Sequence, residues 1–215
     1  MNKKVLTFSP FFLLFFSLQN LYSHSVAYFS PEDNIRDRLI EMIDKTNYKI
    51  KAAVYMLTEK QIAQALIKAK KRGVKIKIIT DVSCAESNYG KIGLLKENGI
   101  KIFVFKQKSS EKNSYFNPLM HNKFAVFELE RNSNQNWTWT GSFNWTRSAN
   151  QINQENVILT SNHKIFACYK AKFKALKRCC ISKEYSNKQS ENNARTGESW
   201  NDKITEFLKF VRKQF

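Results

Sequence analysis

Two residues near the middle of the sequence have the types and spacing needed to attack and bind a phosphate. His121 and Lys123 are separated by one residue at the start of an apolar segment that predicts a strand. Because side chains alternate between the faces of a strand, the imidazole and the ammonium are expected on the same side. An imidazole beside an ammonium suits a phosphate site better than a core. Taken alone the pair is a weak signal, since a surface histidine is the default interpretation.

Polar residues further along the chain add weight to this pair. Ser142 and Asn144 follow a second predicted strand and again share one face. Their hydroxyl and amide groups can bond phosphate oxygens. Glu155 begins a third strand and offers a carboxylate that can orient an imidazole. Singly, Ser142 and Asn144 also fit a turn and Glu155 a solvated strand end, so it is the ordered set that predicts a site.

Six apolar segments predict the strands that position these residues. They lie at 48–56, 74–79, 100–105, 121–128, about 137–141 and 155–160. Helical patterns separate the first three strands, and this alternation implies an α/β fold with a mainly parallel sheet and covered faces.

Capping residues mark where the predicted helices begin. Ser30 and Pro31 suit the cap and first residue of one helix. Thr58 opens a capping box for the next helix. Further helices are predicted around 91–98 and at 163–178.

The motif set matches a known arrangement. In chain order it is His121-x-Lys123, an acid at Glu128, Gly141-Ser142-x-Asn144, and Glu155-Asn156. This set resembles the phospholipase D superfamily, and most closely its small single-motif members, the bacterial Nuc-type endonucleases and the mitochondrial cardiolipin hydrolases. The resemblance covers roughly residues 28–178. It departs from the family at Glu128, where aspartate is usual; that acid supports structure more than chemistry in the family.

The resemblance implies a phospholipase D-like α-β-α sandwich with a mixed, mainly parallel central sheet, and a mechanism without metal or cofactor. In that mechanism His121 attacks phosphorus to form a phosphohistidine, which water then hydrolyses. Lys123 and Asn144 neutralise the equatorial oxygens, and Ser142 assists. Glu155 fixes the tautomer of the histidine.

The implied mechanism needs a second histidine to protonate the leaving oxygen. His24 falls in the predicted leader, and His163 has no accompanying Ser/Asn strand. The sequence therefore predicts a two-fold homodimer in which both copies of His121 share one active site.

The sequence is strongly basic, with 36 Lys and Arg against 18 Asp and Glu, a net charge of +18. This charge favours polyanionic partners. An acid-free basic run contains Lys71 and Arg72 as candidate substrate-binding residues, and Trp145 is a candidate for stacking on bases. A solvated helix surface is the usual explanation of such runs. On charge alone, nucleic acid is the preferred substrate.

Anionic phospholipid is the alternative substrate. Residues just before His121 that can meet acyl chains are Tyr115, Phe116, Leu119 and Met120. The basic amphipathic stripe at 204–215 either lies on a membrane as a peripheral contact or docks onto protein. A third hypothesis is a non-catalytic polyanion-binding protein, which would have no need of His121.

The first 25 residues read as a signal peptide, with a basic start, an apolar segment and small residues before Val26. We therefore expect export to a periplasm or beyond, or, as the alternative, an N-terminal membrane anchor. The expected regions are a leader at 1–25, a catalytic domain at 26–180, and a polar linker with a basic tail at 181–215. No Cys/His cluster predicts a zinc site, although export permits a disulfide among the four cysteines.

Overall fold

The computed structural model describes residues 23–105, 118–132 and 134–180. The strands in these ranges are β1 (Ser25–Ser30), β2 (Lys49–Val54), β3 (Lys75–Asp81), β4 (Lys101–Phe105), β5 (Lys123–Glu128), β6 (Asn136–Gly141) and β7 (Glu155–Thr160). The helices are α1 (Ile35–Lys45), α2 (Lys60–Lys71), α3 (Val82–Ala85), α4 (Ile92–Glu97), α5 (Arg147–Gln151) and α6 (His163–Arg178). Residues 1–22 of the predicted leader (1–25) and the whole of the predicted linker and tail (181–215) lie outside the described residues.

The seven strands of the described part form one mixed sheet in the order β1-β7-β6-β5-β2-β3-β4. β2, β3 and β4 are parallel neighbours, whereas the other four neighbouring pairs are antiparallel. The predicted α/β fold with a mixed sheet is confirmed. The prediction that the sheet is mainly parallel is wrong, because two of its six strand pairs are parallel and four are antiparallel. The helical crossovers that parallel pairing requires join β2, β3 and β4, while β5 and β6 are joined by a hairpin.

Helices cover both faces of the sheet, as the sandwich prediction requires. The larger core contains buried residues of α1, α2 and α4 together with one sheet face, including Leu39, Leu66 and Leu95. The smaller core lies under α6, where Phe173 and Leu176 pack against Phe124. Among the described residues, no helix is both long and apolar enough to cross a membrane.

Two predicted helix starts need correction. Ser30 is the last residue of β1, and α1 begins only after Asn34, which adopts a left-handed conformation with φ 47°. α2 is capped by the side chain of Glu59, which accepts a hydrogen bond from the Gln61 amide, rather than by Thr58. Edge strand β1 and the short helices α3 and α5 were not predicted. β1 has one buried residue and therefore no alternating pattern, and α3 and α5 are only four and five residues long.

Candidate active site

The strand directions bring the predicted site residues to one edge of the sheet. The parallel strands β2, β3 and β4 end at this edge, and the register pairs Val54 at the end of β2 with Lys123 at the start of β5. Gly141 at the end of β6 lies opposite Val157 near the start of β7. The carboxyl ends of parallel strands are where α/β folds place their ligand sites. We call this the catalytic edge.

His121 and Lys123 are in direct contact at the catalytic edge. The Lys123 Nζ lies 2.9 Å from Nδ1 and 3.0 Å from Nε2 of His121, and it donates to the His121 carbonyl at 2.8 Å. His121 is exposed, while Lys123 is only 7% exposed. Burial lowers the pKa of Lys123, and the negative charge of Glu155 opposes this shift. An imidazole open to substrate thus stands beside a partly desolvated ammonium, and both lie on the same side as predicted.

Tyr55 completes the wall behind this pair and was not predicted from the sequence. Its ring centroid lies 4.6 Å from that of His121, with the ring planes at 53°. The Lys123 Nζ is 5.3 Å from the Tyr55 ring centroid, within the range of a cation–π contact. The Tyr55 amide also donates to the Asn122 carbonyl at 2.9 Å. In the sequence, the signal that could have pointed to Tyr55 was its position near the end of the predicted strand 48–56.

Asp81, also not predicted, fixes the backbone that leads into His121. This carboxylate is 1% exposed, and its Oδ2 accepts a hydrogen bond from the Met120 amide at 2.9 Å. Its Oδ1 accepts a hydrogen bond from the Ser83 amide at 3.0 Å and a second one from the Ser83 hydroxyl. Because the carboxylate is held from both sides, it positions the residue adjacent to the nucleophile candidate.

Gly141 and Ser142 hold β6 tightly against β7. A Cβ on Gly141 would lie 2.0 Å from the Asn156 carbonyl oxygen, so the backbones approach too closely for any side chain. The Ser142 amide donates to the Asn156 carbonyl, and the Asn156 amide donates to the Ser142 hydroxyl, both at 3.0 Å. The hydroxyl accepts here, and its own O–H can donate to a phosphate oxygen at the same time. Ser142 is exposed at the catalytic edge.

Asn144 has its amide oriented by the chain after β2. Its Oδ1 accepts a hydrogen bond from the Met56 amide at 3.3 Å. With the oxygen used in this way, the NH₂ group is the end that can donate to a phosphate oxygen.

Trp145 is a structural residue, and the prediction that it stacks on bases is wrong. Its side chain is 0% exposed, within the larger core. Its backbone donates to Met56 and accepts from Thr58 and Glu59, each at 3.0 Å. These bonds join the loop after β6 to the loop before α2, and so they support Asn144.

Glu155 lies at the catalytic edge but does not contact His121 within the described chain. Its Oε1 accepts a hydrogen bond from Asn153 at 3.0 Å, and its charge acts on Lys123. The negative charge of this carboxylate therefore favours the charged form of Lys123. The predicted role in fixing the histidine tautomer has no corresponding bond here.

The motif acid Glu128 lies at the other end of β5, five residues and roughly 17 Å from Lys123. It pairs with Lys49 at 3.2 Å and Lys170 at 3.3 Å. Burial would raise the pKa of Glu128, but these lysines outweigh it and the pKa is lowered. Glu128 thus joins β5, β2 and α6, in keeping with a supporting role. A glutamate can fill the position because its partners are flexible lysines.

Lys71 and Arg72, the candidate substrate-binding residues, lie away from the catalytic edge. α2 starts near the catalytic edge and runs back along the sheet, so its last residue Lys71 is exposed at the far edge. The Arg72 guanidinium donates to the carbonyls of Ile43 and Asp44 at 3.1 Å each. Arg72 therefore satisfies the C-terminal carbonyls of α1.

The other two histidines lie at the far edge as well. Ser30, at the end of β1, pairs with Glu155, whereas Ser25, next to His24, pairs with Thr160. His163 follows shortly after that far end of β7. One imidazole of this chain therefore reaches the catalytic edge. In the described ranges, no three His, Cys, Asp or Glu side chains cluster in a way that could hold a metal ion.

The amino-acid sequence of the chain is similar to a known family of proteins. Residues 39–177 match the family model described as cardiolipin synthase, PLD-like domain. A mitochondrial cardiolipin hydrolase of Xenopus tropicalis is 27% identical over 144 residues, which are 67% of this chain and 61% of the relative. A phospholipase D of Rickettsia prowazekii is 27% identical over 169 residues, covering 78% and 75%. The chain thus spans about three fifths of the length of the Xenopus relative.

Two solved structures share the fold over nearly their whole length. Nuc from Salmonella typhimurium, a phospholipase D family member, superposes with a TM-score of 0.62 at 25% identity, covering 74% of this chain and 97% of that one. NucT from Helicobacter pylori superposes with a TM-score of 0.66 at 22% identity, covering 75% and 99%.

Proposed function

The chain belongs to the phospholipase D superfamily. We propose that it is a metal-independent phosphodiesterase, an endonuclease that cleaves DNA or RNA. The observation that carries this proposal is the contact between exposed His121 and buried Lys123 at the catalytic edge. In Asn144 and Ser142, the side-chain oxygen of each residue accepts a hydrogen bond from a backbone amide, so the Asn144 NH₂ group and the Ser142 O–H can donate to phosphate oxygens there. Such preorganised donors stabilise the charge that develops on a phosphoryl group.

In the proposed reaction the phosphorus is attacked twice. A ring nitrogen of His121 forms a P–N bond as the P–O bond to the leaving group breaks, and an acid gives its proton to the departing oxygen. Water then attacks phosphorus, the P–N bond breaks, and the same acid, now a base, accepts a proton from the water. Lys123, whose charge requires no metal, balances the oxygens in both steps.

The acid is proposed to be His121 of a second copy of the chain. Neither His24 nor His163 lies at the catalytic edge. Large apolar side chains exposed near this edge support a contact between copies there, since such surfaces mark interaction sites. They are Phe29 (54% exposed), Leu119 (57%) and Ile152 (74%).

Nucleic acid is preferred as substrate because of the net charge of +18, which attracts phosphate polymers. Phospholipid is the second candidate. Exposed Leu119, two residues before His121, is a contact for acyl chains, and relatives are named for cardiolipin hydrolysis. Met120, which was expected beside it, is 1% exposed and packs in the smaller core. Tyr115 and Phe116 lie outside the described residues.

The test uses the full chain in EDTA with plasmid DNA, single-stranded RNA and vesicles of cardiolipin or phosphatidylcholine. We expect cleavage of nucleic acid that is lost in His121→Ala and retained in His163→Ala, since His163 is at the far edge. Cleavage of lipid with intact nucleic acid would support the phospholipase instead. Full activity of His121→Ala would refute the mechanism, and binding without any cleavage would favour the non-catalytic protein.

A further inference from the structure

Lysines gather on the sheet face beneath α6, away from His121. Lys51, Lys77 and Lys101 form one row across β2, β3 and β4, because the register pairs the first with the second and the second with the third. Neighbouring strands lie about 4.8 Å apart, so three lysines start within roughly 10 Å. The set, called the lysine face below, consists of Lys49, Lys51, Lys77, Lys101, Lys170 and Lys177.

Helix α6 contributes to this surface from above. Lys170 and Lys177 are seven residues apart, two turns of helix, so they project from the same side of α6. The Lys170 Nζ lies 3.3 Å from Glu128. The Lys177 Nζ lies 4.7 Å from the ring centroid of Phe103, two residues after Lys101 on β4. The strand lysines and the helix lysines therefore form one continuous surface.

The positive charge of the lysine face is only partly balanced within the described chain. Glu128 is the acid that pairs with it, at 3.2 Å from Lys49 and 4.0 Å from Lys51. The pKa of Lys77 is lowered by burial and by neighbouring lysines, chiefly Lys177. Like charges facing each other across strands destabilise a sheet. Folding alone gives no reason for this arrangement, whereas a bound polyanion would relieve the repulsion.

We propose that the lysine face binds the phosphate backbone of a nucleic acid strand, as a second binding site for the substrate of the enzyme. This inference rests on the proposed nuclease function. The distance from Lys49 to Val54 at the catalytic edge is five strand residues, roughly 17 Å. At about 3.4 Å per nucleotide, a strand of more than about five nucleotides can reach both sites.

The lysine face fits a nucleic acid better than a membrane. The side chains of Lys51 and Glu128 are 18% and 12% exposed, so their charged groups lie below the surface level that a flat bilayer could meet. The large exposed apolar residues of the described ranges lie outside β2, β3 and β4. The chain's own segment 181–215 carries seven basic and five acidic residues, so its net charge has the same sign as the lysine face.

The test measures binding without cleavage, using full-chain His121→Ala in EDTA and a fluorescent single-stranded DNA of about 20 nucleotides. In that background Lys51, Lys77 and Lys177 are changed together to Gln. Each phosphate contact contributes a salt slope of about 0.7, a factor of roughly five at 0.1 M salt. Loss of three contacts should therefore weaken binding about 100-fold and reduce the slope by about 2.

The matched control changes three exposed lysines on the helices of the other sheet face, Lys60, Lys68 and Lys96, to Gln. We expect less than about a threefold effect on binding in this control, because non-specific charge loss alone is screened by salt. Thermal unfolding checks the fold, and the first variant should be no less stable than its parent.

Equal binding by the two triple variants would overturn the inference. So would lysine-face-dependent binding to cardiolipin-containing vesicles with no binding to DNA, which would assign the surface to a membrane. Binding is measured in the His121→Ala background and does not depend on cleavage. The binding result can therefore be interpreted even if the unmodified protein has no nuclease activity. Conversely, if DNA binding did not depend on the lysine face, the proposed chemistry at His121 would be unaffected.

Discussion

Replacing Gly141 by Ala should damage both the fold and the active site. The added Cβ would lie 2.0 Å from the Asn156 carbonyl oxygen, whereas ordinary contact begins at 3.4 Å. β6 and β7 must therefore separate locally by about 1.4 Å. Overpacking of this kind costs about 1–3 kcal/mol in the free energy of unfolding. Because Ser142 is bonded to Asn156 on both sides, it must move as well. Misplacement by about 1 Å costs on the order of 100-fold in rate.

The assay is urea unfolding together with hydrolysis of a small chromogenic phosphodiester. Gly93→Ala is the matched control, since nothing lies within 4 Å of a Cβ on Gly93 and this residue is within α4. In a helix that change should stabilise the protein by roughly 0.5–1 kcal/mol and leave the rate unchanged. A Gly141→Ala protein as stable and as active as the control would refute the close packing at β6 and β7.

Three further outcomes are expected. Trp145→Ala should cost about 3–5 kcal/mol in urea unfolding, as expected for a buried aromatic residue, rather than a selective loss of nucleic acid affinity. Because the pKa of Glu128 is lowered in the folded protein, its ionised carboxylate should stabilise the fold near neutral pH, and this effect should disappear as the pH falls through that pKa. The difference in unfolding free energy between the unmodified protein and Glu128→Gln should therefore shrink below about pH 4.3. A difference that stays constant with pH would contradict this role of Glu128. If the leader is cleaved, N-terminal sequencing of the exported protein should begin at Val26, and recovery of the intact N-terminus would support the anchor.

The alternation of strand residues was the most informative feature of the sequence. β7 and α6 lie at the predicted positions, and His121 and Lys123 share one side as their spacing requires. These predictions succeeded because local periodicity determines which side chains share a face.

Features that depend on distant contacts were not accessible in the same way. Trp145 follows the Ser/Asn motif directly, and its burial depends on the larger core, whose residues come from distant parts of the chain. Arg72 looked like part of a basic surface, but the end of α1 supplies carbonyls for it. Asp81 and Tyr55 joined the site only once the parallel strands were known to end beside β5.

Trapping the covalent intermediate would test directly whether His121 is the nucleophile. The full chain in EDTA is mixed with a phosphodiester labelled in the phosphoryl group, quenched under conditions that preserve phosphoramidates, and digested for mass spectrometry. A labelled adduct should form on His121 and be absent from His121→Ala. Turnover without any adduct on His121, or an adduct on another residue that persists in His121→Ala, would contradict it.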